Sequence, residues 1–389
     1  MYANRMQRLG TETAFEVLAR AKALERQGKE VVHLEIGEPD FDTPRNIIDA
    51  AIQAMQEGYT HYGPSAGLPD VREALAEHIA EDRGITVDAE NVVVTPGAKP
   101  ILFFSIFACV NEGEEVIYPN PGFPIYESVI NYVGARPVPI RLREEREFRL
   151  DPDELAELIT DKTKMIILNS PQNPTGGVLS KEDFQLIAKA VGDREIFILS
   201  DEVYSKILYE GEHRSIVQEP GLQERVILLE GHSKTYAMTG WRLGYGVMNK
   251  TLAAHVTRLM TNCNSCTNVF VQQAGKHAVQ GPQDAVTKMV EQFRRRRDVI
   301  VDGLNAIPGI SCLKPRGAFY VFPNISETGM KSSELEGELL EKAGVAALSG
   351  TSFGAYGDGY LRFSYANSVE NIQKALERVA SYLSQRSGS

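Results

Sequence analysis

The stretch Val226-Ile-Leu-Leu-Glu-Gly-His-Ser-Lys-Thr-Tyr-Ala-Met-Thr-Gly-Trp-Arg-Leu-Gly-Tyr245 decides the fold. Its apolar start predicts a buried strand, and Lys234 follows the end of that strand among small and hydroxyl residues. A lysine amine is a nucleophile only when it is unprotonated, and the nearby cation Arg242 would lower its pKa. The pattern therefore indicates a lysine that forms a Schiff base with an aldehyde cofactor, although a lone Ser-Lys-Thr is more often a solvated loop.

Two upstream strands are expected to deliver polar groups to the same edge of the sheet. Ile196–Ser200 is followed by Asp201, which would hold a pyridine nitrogen protonated or, alternatively, cap a following helix. Met165–Asn169 leads into a proline-rich turn that contains Asn173, and Tyr204 lies three residues beyond Asp201. Asn173 and Tyr204 could both donate to a phenolate oxygen, or they could serve the turn and the core.

An anion site is predicted after a third strand, Val92–Thr95. The next residues open a helix that runs to about Val110, so free amides and a helix dipole face the ligand. Ser233 and Arg242 flank Lys234 and could add a hydroxyl and a guanidinium. The predicted phosphate cradle thus comprises Gly97, Ala98, Lys99, Ser233 and Arg242.

An aromatic side chain for stacking is expected after a fourth strand, Glu115–Tyr118. The loop beyond it holds Phe123, which would lie on a flat ring or belong to the core, and Val203 could close the other face. A lysine trap, a pyridine partner, phenolate donors, a phosphate cradle and a stacking ring together indicate pyridoxal 5′-phosphate.

These segments resemble the class I and II aminotransferases of the fold type I pyridoxal-phosphate enzymes, in the branch with bacterial and archaeal aspartate and aromatic aminotransferases. The resemblance covers nearly the whole chain. It implies an α/β fold, with a large domain built on a mostly parallel sheet of the seven-stranded type and a smaller α/β domain. The motifs that carry it are Ile36–Asp40, Tyr62–Gly67, Asn169–Gly176, Ser200–Tyr204, Ser233–Thr235, Met238–Tyr245 and Leu361–Ser364.

The resemblance also implies roles for individual residues. Lys234 would carry the aldimine and act as the catalytic base, with Asp201 on the pyridine nitrogen. Tyr62 would reach the phosphate of the other subunit of a homodimer. Arg362 would grip the α-carboxylate of the substrate, and the other residues implied at the substrate are Gly37, Asn173, Lys99 and Thr13.

The residues around Arg362 predict its role without any resemblance to a family. Gly359–Tyr365 alternates as a half-buried strand would, so the arginine within it needs a structural carboxylate partner or a ligand. The planar fork of a guanidinium suits the carboxylate of an amino acid.

Three residues bear on the preferred substrate. Lys99 stands where related aspartate enzymes carry a lysine for the distal carboxylate, which favours an acidic partner. Pro100 replaces the glutamine or similar residue expected next, and Glu12 would add negative charge if it faces the pocket. Pro100 and Glu12 therefore oppose the acid selectivity that Lys99 favours.

Bulk properties fit a cytoplasmic enzyme with small-molecule substrates. The 389 residues carry 41 basic and 52 acidic side chains, a net charge of −11, which argues against nucleic acid or an anionic membrane as partner. The run Arg294–Arg297 is predicted to be the solvated face of a helix, with some pairing between the domains. Cys263 and Cys266 have redox or metal spacing, but incidental thiols and no metal are expected.

Three segments are predicted: 1–46 joins the small domain, 47–290 forms the large cofactor-binding domain, and 291–389 forms the small C-terminal domain. The expected reaction is a ping-pong transfer of an amino group from an acidic or aromatic L-amino acid to a 2-oxo acid, with 2-oxoglutarate as the expected acceptor. A β-lyase or other eliminating enzyme of the same fold is the alternative, and a catalytically silent binding or regulatory domain is another.

Overall fold

The computed structural model describes residues 2–387. Its strands are β1 Val32–His33, β2 Val92–Thr95, β3 Glu115–Asn120, β4 Arg136–Arg141, β5 Thr163–Asn169, β6 Phe197–Asp201, β7 Val226–Gly231, β8 Gly244–Val247, β9 Tyr320–Val321, β10 Val345–Ala346, β11 Leu348–Ser349 and β12 Leu361–Ser364. Its α-helices are α1 Ala14–Arg26, α2 Arg45–Gln56, α3 Pro69–Arg83, α4 Lys99–Cys109, α5 Ile125–Val133, α6 Pro152–Leu158, α7 Lys181–Val191, α8 His232–Thr235, α9 Lys250–Asn264, α10 Val269–Gln280, α11 Asp284–Asn305, α12 Ser332–Glu338 and α13 Val369–Ser387.

The central sheet has seven strands in the order β2-β8-β7-β6-β5-β3-β4. Five adjacent strands, β4, β3, β5, β6 and β7, run parallel to one another. Strand β8 is antiparallel to both of its neighbours, β7 and β2. Ile166 and Ile198 pack into one core cluster, whereas the next residues, Ile167 and Leu199, pack into another. Both faces of the sheet are therefore covered, which explains the near-continuous apolar runs, and the predicted α/β fold with a mostly parallel sheet is confirmed.

A second, antiparallel sheet has the order β11-β12-β9, and β1 pairs with β10 in parallel. The N-terminal segment thus lies beside the C-terminal region. The predicted boundary between residues 290 and 291 falls inside the continuous helix α11, and the limits of the domains stay a prediction. The prediction of a half-buried strand at 359–365 was wrong for β12, because this central strand is buried at all four positions.

In the basic run of α11, the first two arginines are exposed as predicted, whereas Arg296 and Arg297 are buried. Arg296 donates to both carboxylate oxygens of Asp40, at 2.6 and 2.9 Å. Arg297 is buried and contacts Glu210 at 2.8 Å. These two arginines are fixed by carboxylates distant in sequence, which the local charge pattern does not reveal.

Candidate active site

A cavity of about 560 Å³ lies at the carboxyl ends of the parallel strands. Open α/β sheets commonly bind ligands at this edge. Most of the residues predicted at the site line the cavity: Glu12, Thr13, Gly37, Ala98, Lys99, Phe123, Asn173, Asp201, Val203, Tyr204, Ser233, Lys234, Arg242 and Arg362. Two predicted residues, Gly97 and Tyr62, lie outside its lining.

Lys234 lies on the short helix α8, directly after β7. Its Nζ atom donates a hydrogen bond to the carbonyl oxygen of Gly37 at 2.5 Å. Burial lowers the pKa of Lys234 to about 8, while the charge of Glu38 opposes this shift and that of Arg362 adds to it. Arg242, the expected cause, is only a minor contributor.

Asp201 ends β6 and is buried beside Tyr126. Its Oδ2 atom accepts a hydrogen bond from the Tyr126 hydroxyl at 2.6 Å, and Oδ1 accepts from the backbone N–H of Val203 at 3.4 Å. Burial raises the pKa of Asp201 to about 6, although both hydrogen bonds act in the opposite direction. A turn rather than a helix follows Asp201, so the carboxylate is not a helix cap.

Arg362 projects from the central strand β12 into the cavity. Its Nη1 atom donates to Oδ1 of Asn173 at 3.1 Å, and its Nη2 atom donates to the backbone carbonyl of Glu35. Its guanidinium carbon lies 4.5 Å from the ring centroid of Tyr320 and 4.9 Å from that of Phe353. Nε of Arg362 is buried with no hydrogen-bond partner among the described residues, so the fork retains capacity for an anion.

The hydroxyls of two tyrosines lie close to each other, and one of them lies close to Gly37. The hydroxyls of Tyr204 and Tyr320 are 2.8 Å apart. A Cβ atom built on Gly37 would lie only 2.1 Å from the hydroxyl of Tyr320, so a larger residue would displace that ring. Tyr126, Tyr320 and Phe353 were not predicted, because each reaches the cavity through tertiary packing. Of these three, only Tyr126 could have been inferred from the sequence, because it follows Phe123 by three residues.

The predicted phosphate cradle lies where α4 begins. Ala98 is the N-cap of α4, and Ser233 and Arg242 line the cavity nearby. Gly97 has a φ of +89°, and a Cβ there would lie 2.2 Å from Nη2 of Arg242, so the guanidinium packs directly on the glycine. Pro100 is in the first turn of α4, where a missing backbone N–H breaks no helical hydrogen bond. It also leaves one donor fewer for an anion.

Lys99 and Glu12 form an ion pair at the mouth of the cavity. The Nζ atom of Lys99 also lies 5.4 Å from the ring centroid of Phe123. Glu12 therefore does face the cavity, as the sequence left open.

A buried ion network lies behind the strand ends. Arg83, at the end of α3, donates to Glu202 at 3.0 Å and to Glu230 at 2.6 Å. Glu202 also accepts from His213 at 2.8 Å. Burial alone would raise the pKa of Glu202, but the charge of Arg83, the charge and hydrogen bond of His213 and the hydrogen bond from Ser215 together lower it to about 2. Burial raises the pKa of Glu230 to about 8. The network joins α3 to residues adjacent to Asp201 and preceding Lys234.

Residues 2–387 contain no group of three or more His, Cys, Asp or Glu side chains placed to hold a metal. Cys263 is exposed, and Cys266 is partly exposed. In the same part of the chain, no helix combines the length and apolar character needed to cross a membrane.

The chain matches the family model "Aminotransferase class I and II" over residues 29–379. It is 43% identical to an aspartate aminotransferase of Pyrococcus horikoshii, over 94% of this chain and 92% of the relative. It is 38% identical to aromatic-amino-acid aminotransferase 2 of Thermococcus litoralis, with 92% of each covered. The structure resembles that of the Thermus thermophilus aspartate aminotransferase with maleate, at a TM-score of 0.94, 37% identity and coverage of 98% and 99%.

Proposed function

The chain belongs to the class I and II aminotransferases, and we propose that its cavity moves an amino group between an acidic or aromatic L-amino acid and a 2-oxo acid. Enzymes of this family depend on pyridoxal 5′-phosphate. The acidic and aromatic donor classes come from the names of the relatives. The observation that carries the proposal is the partly buried Lys234, whose pKa is lowered to about 8 and whose amine lies in the same cavity as Asp201 and Arg362.

The residues fit this cofactor in size and chemistry. A volume of about 560 Å³ lies within the range of small-molecule sites. Lys234 would hold the aldehyde carbon, and Asp201 would face the ring nitrogen. Donors for the phenolate oxygen would be Asn173 and Tyr204, with Phe123 against the ring. The phosphate would lie among Gly97, Ala98, Lys99, Ser233 and Arg242, with Tyr62 from a second subunit.

When bound, the cofactor supplies an aldehyde that exchanges with amines and a ring that withdraws electrons. Lys234 Nζ takes the proton from the substrate Cα, which only its unprotonated form can do. Burial increases the fraction of that form near neutral pH, because it lowers the pKa of Lys234 from 10.5 to about 8. The carbonyl of Gly37, 2.5 Å away, orients the amine in the free protein.

Arg362 and Asn173 bind the substrate α-carboxylate in this proposal. The Nε atom of Arg362 has no hydrogen-bond partner among the described residues, and the guanidinium contacts two aromatic rings. The guanidinium is therefore held in place away from bulk water. Thr13 and Gly37 line the same region, and Lys99 lies where a side-chain carboxylate would arrive. Glutamate and 2-oxoglutarate are the proposed shared pair.

Borohydride reduction of the cofactor-loaded enzyme, followed by peptide mapping, tests the assignment of Lys234. The label is expected on the peptide that contains Lys234, and a label on any other lysine contradicts the assignment. A panel of twenty amino donors with 2-oxoglutarate then defines the substrate. Keto acid with pyridoxamine phosphate supports transamination, whereas ammonia with pyruvate supports the eliminating alternative.

A further inference from the structure

A carboxylate of the chain itself faces the mouth of the cavity. Glu12 precedes α1, lines the cavity and accepts a hydrogen bond from Nζ of Lys99. Its side chain is 20% accessible, compared with 45% for Lys99. The charge of Glu12 also acts on two cations of the cavity. Burial lowers the pKa of both Lys234 and Arg362, and the negative charge of Glu12 opposes both shifts. Glu12 is therefore close enough to influence a charged ligand in the cavity.

The ammonium of Lys99 has two partners in the free protein. Glu12 engages its charge, and the ring of Phe123 lies 5.4 Å from its Nζ atom. A substrate carboxylate that approached Lys99 would meet an ammonium already paired. It would also meet the like charge of Glu12.

We propose that Glu12 is a specificity-determining residue, whose carboxylate occupies Lys99 and disfavours substrates that carry a side-chain carboxylate. The inference rests on the proposed function, since it assumes that the side chain of the amino acid points toward Lys99. A neutral donor, such as alanine or phenylalanine, leaves the Glu12–Lys99 pair intact. An acidic donor must displace Glu12 from Lys99 or bind beside it, which brings two carboxylates to one ammonium.

The size of the effect follows from the exposure of the pair. Partly exposed ion pairs contribute little, and the repulsion between like charges in exposed pairs is of similar size. Removal of the charge at Glu12 is therefore expected to raise kcat/KM for acidic donors by about threefold to tenfold.

The central variant is Glu12→Gln, which keeps the shape and removes the charge. Glu16→Gln is the matched control, because Glu16 is an exposed acidic residue of α1 that does not line the cavity. Single half-reactions of the cofactor-loaded enzyme with aspartate, glutamate, alanine and phenylalanine give kcat/KM without an acidic acceptor. Calorimetric titration with maleate measures binding of a dicarboxylate without reaction.

Glu12→Gln is expected to gain with aspartate, glutamate and maleate only, and Glu16→Gln is expected to match the wild type. Equal changes for all four donors, or no gain with the dicarboxylates, would overturn the inference. If no donor reacts at all, the proposed function fails instead, and the maleate titration still decides the role of Glu12.

A double variant separates pairing from simple repulsion. In a Lys99→Ala background, Glu12→Gln is expected to give less than half of its gain, because no ammonium remains to be released. An undiminished gain in that background means that Glu12 acts by long-range repulsion, and the proposed pairing is then wrong. Circular dichroism of each variant verifies the fold.

Discussion

Burial shifts the pKa of Lys234 down to about 8 and that of Asp201 up to about 6. In each case burial is the largest cause and moves the pKa toward the neutral form. The charge of Glu38 opposes the shift at Lys234, and the hydrogen bond from Tyr126 opposes it at Asp201. A cation placed beside Asp201 would lower its pKa again. The two side chains thus suit a ligand that brings a carbonyl to one and a positive ring to the other.

The pKa of Lys234 predicts how the free protein captures its cofactor. Only the unprotonated amine attacks an aldehyde, and its fraction grows as the pH rises through about 8. The rate of capture of pyridoxal phosphate by cofactor-free enzyme should therefore rise across this range and level off above it. Stopped-flow absorbance measures the rate. A rate that is flat with pH, or unchanged in Lys234→Ala, would contradict the prediction.

Asp201 can be tested with an isosteric change. Asp201→Asn keeps the side-chain volume but removes the negative charge, so the ring nitrogen loses its anionic partner. We expect kcat/KM to fall at least a hundredfold, since electrostatic contributions of this kind are about 3 kcal/mol. Tyr126→Phe, which removes only one hydrogen bond to the same carboxylate, is the control and should lose far less. Activity of Asp201→Asn within tenfold of wild type would refute the role.

At the scale of elements, the sequence predicted the strands that position the site but not the contacts across it. Apolar runs located β5, β6 and β7, because strands buried on both faces have a strong local signal. The same runs placed Asp201 and Lys234 at one edge of the sheet. Tertiary partners were missed, among them Tyr320 and the ion network of Arg83, because contacts between distant segments leave no periodicity in the sequence.

The Arg83 network gives α3 a role in stability. Glu230 has its pKa raised to about 8 by burial, so its ionisation costs stability as the pH rises. The sign follows from linkage: the unfolded chain ionises near 4.5 and the folded one near 8, so the contribution of Glu230 declines between these values. Glu202 behaves oppositely, because its pKa is lowered from 4.5 to about 2. Its contribution to folding stability is present above about 4.5 and declines as the pH falls below that value.

Glu230→Gln should remove this loss of folding stability with rising pH, because glutamine resembles the protonated acid. Relative to wild type, its denaturation midpoint in urea is expected to increase as the pH rises from about 5 to about 8. Glu202→Gln is the matched change in the same network and should be destabilised throughout this range, because it leaves Arg83 with less opposite charge. A constant difference between Glu230→Gln and wild type would show that Glu230 does not titrate in this window.

At the scale of the whole molecule, the predicted site residue Tyr62 does not contribute to the cavity that the chain forms by itself. The Tyr62 side chain is 89% exposed and lies outside the cavity lining. A tyrosine this exposed is accessible to a second copy of the chain. We therefore predict that Tyr62 completes the phosphate site of a neighbouring subunit.

Hybrid dimers test this prediction directly. Lys234→Ala and Tyr62→Ala are each expected to be weak as homodimers, the first for lack of the amine and the second for lack of a phosphate contact. After unfolding and refolding together, half of the dimers should be hybrids, and each hybrid has one site with Lys234 from one chain and Tyr62 from the other. Recovery should then approach about a quarter of wild-type activity. If Tyr62 acted within its own chain, no hybrid would contain an intact site and mixing would recover nothing. A Tyr62→Ala homodimer as active as wild type would remove Tyr62 from the site altogether.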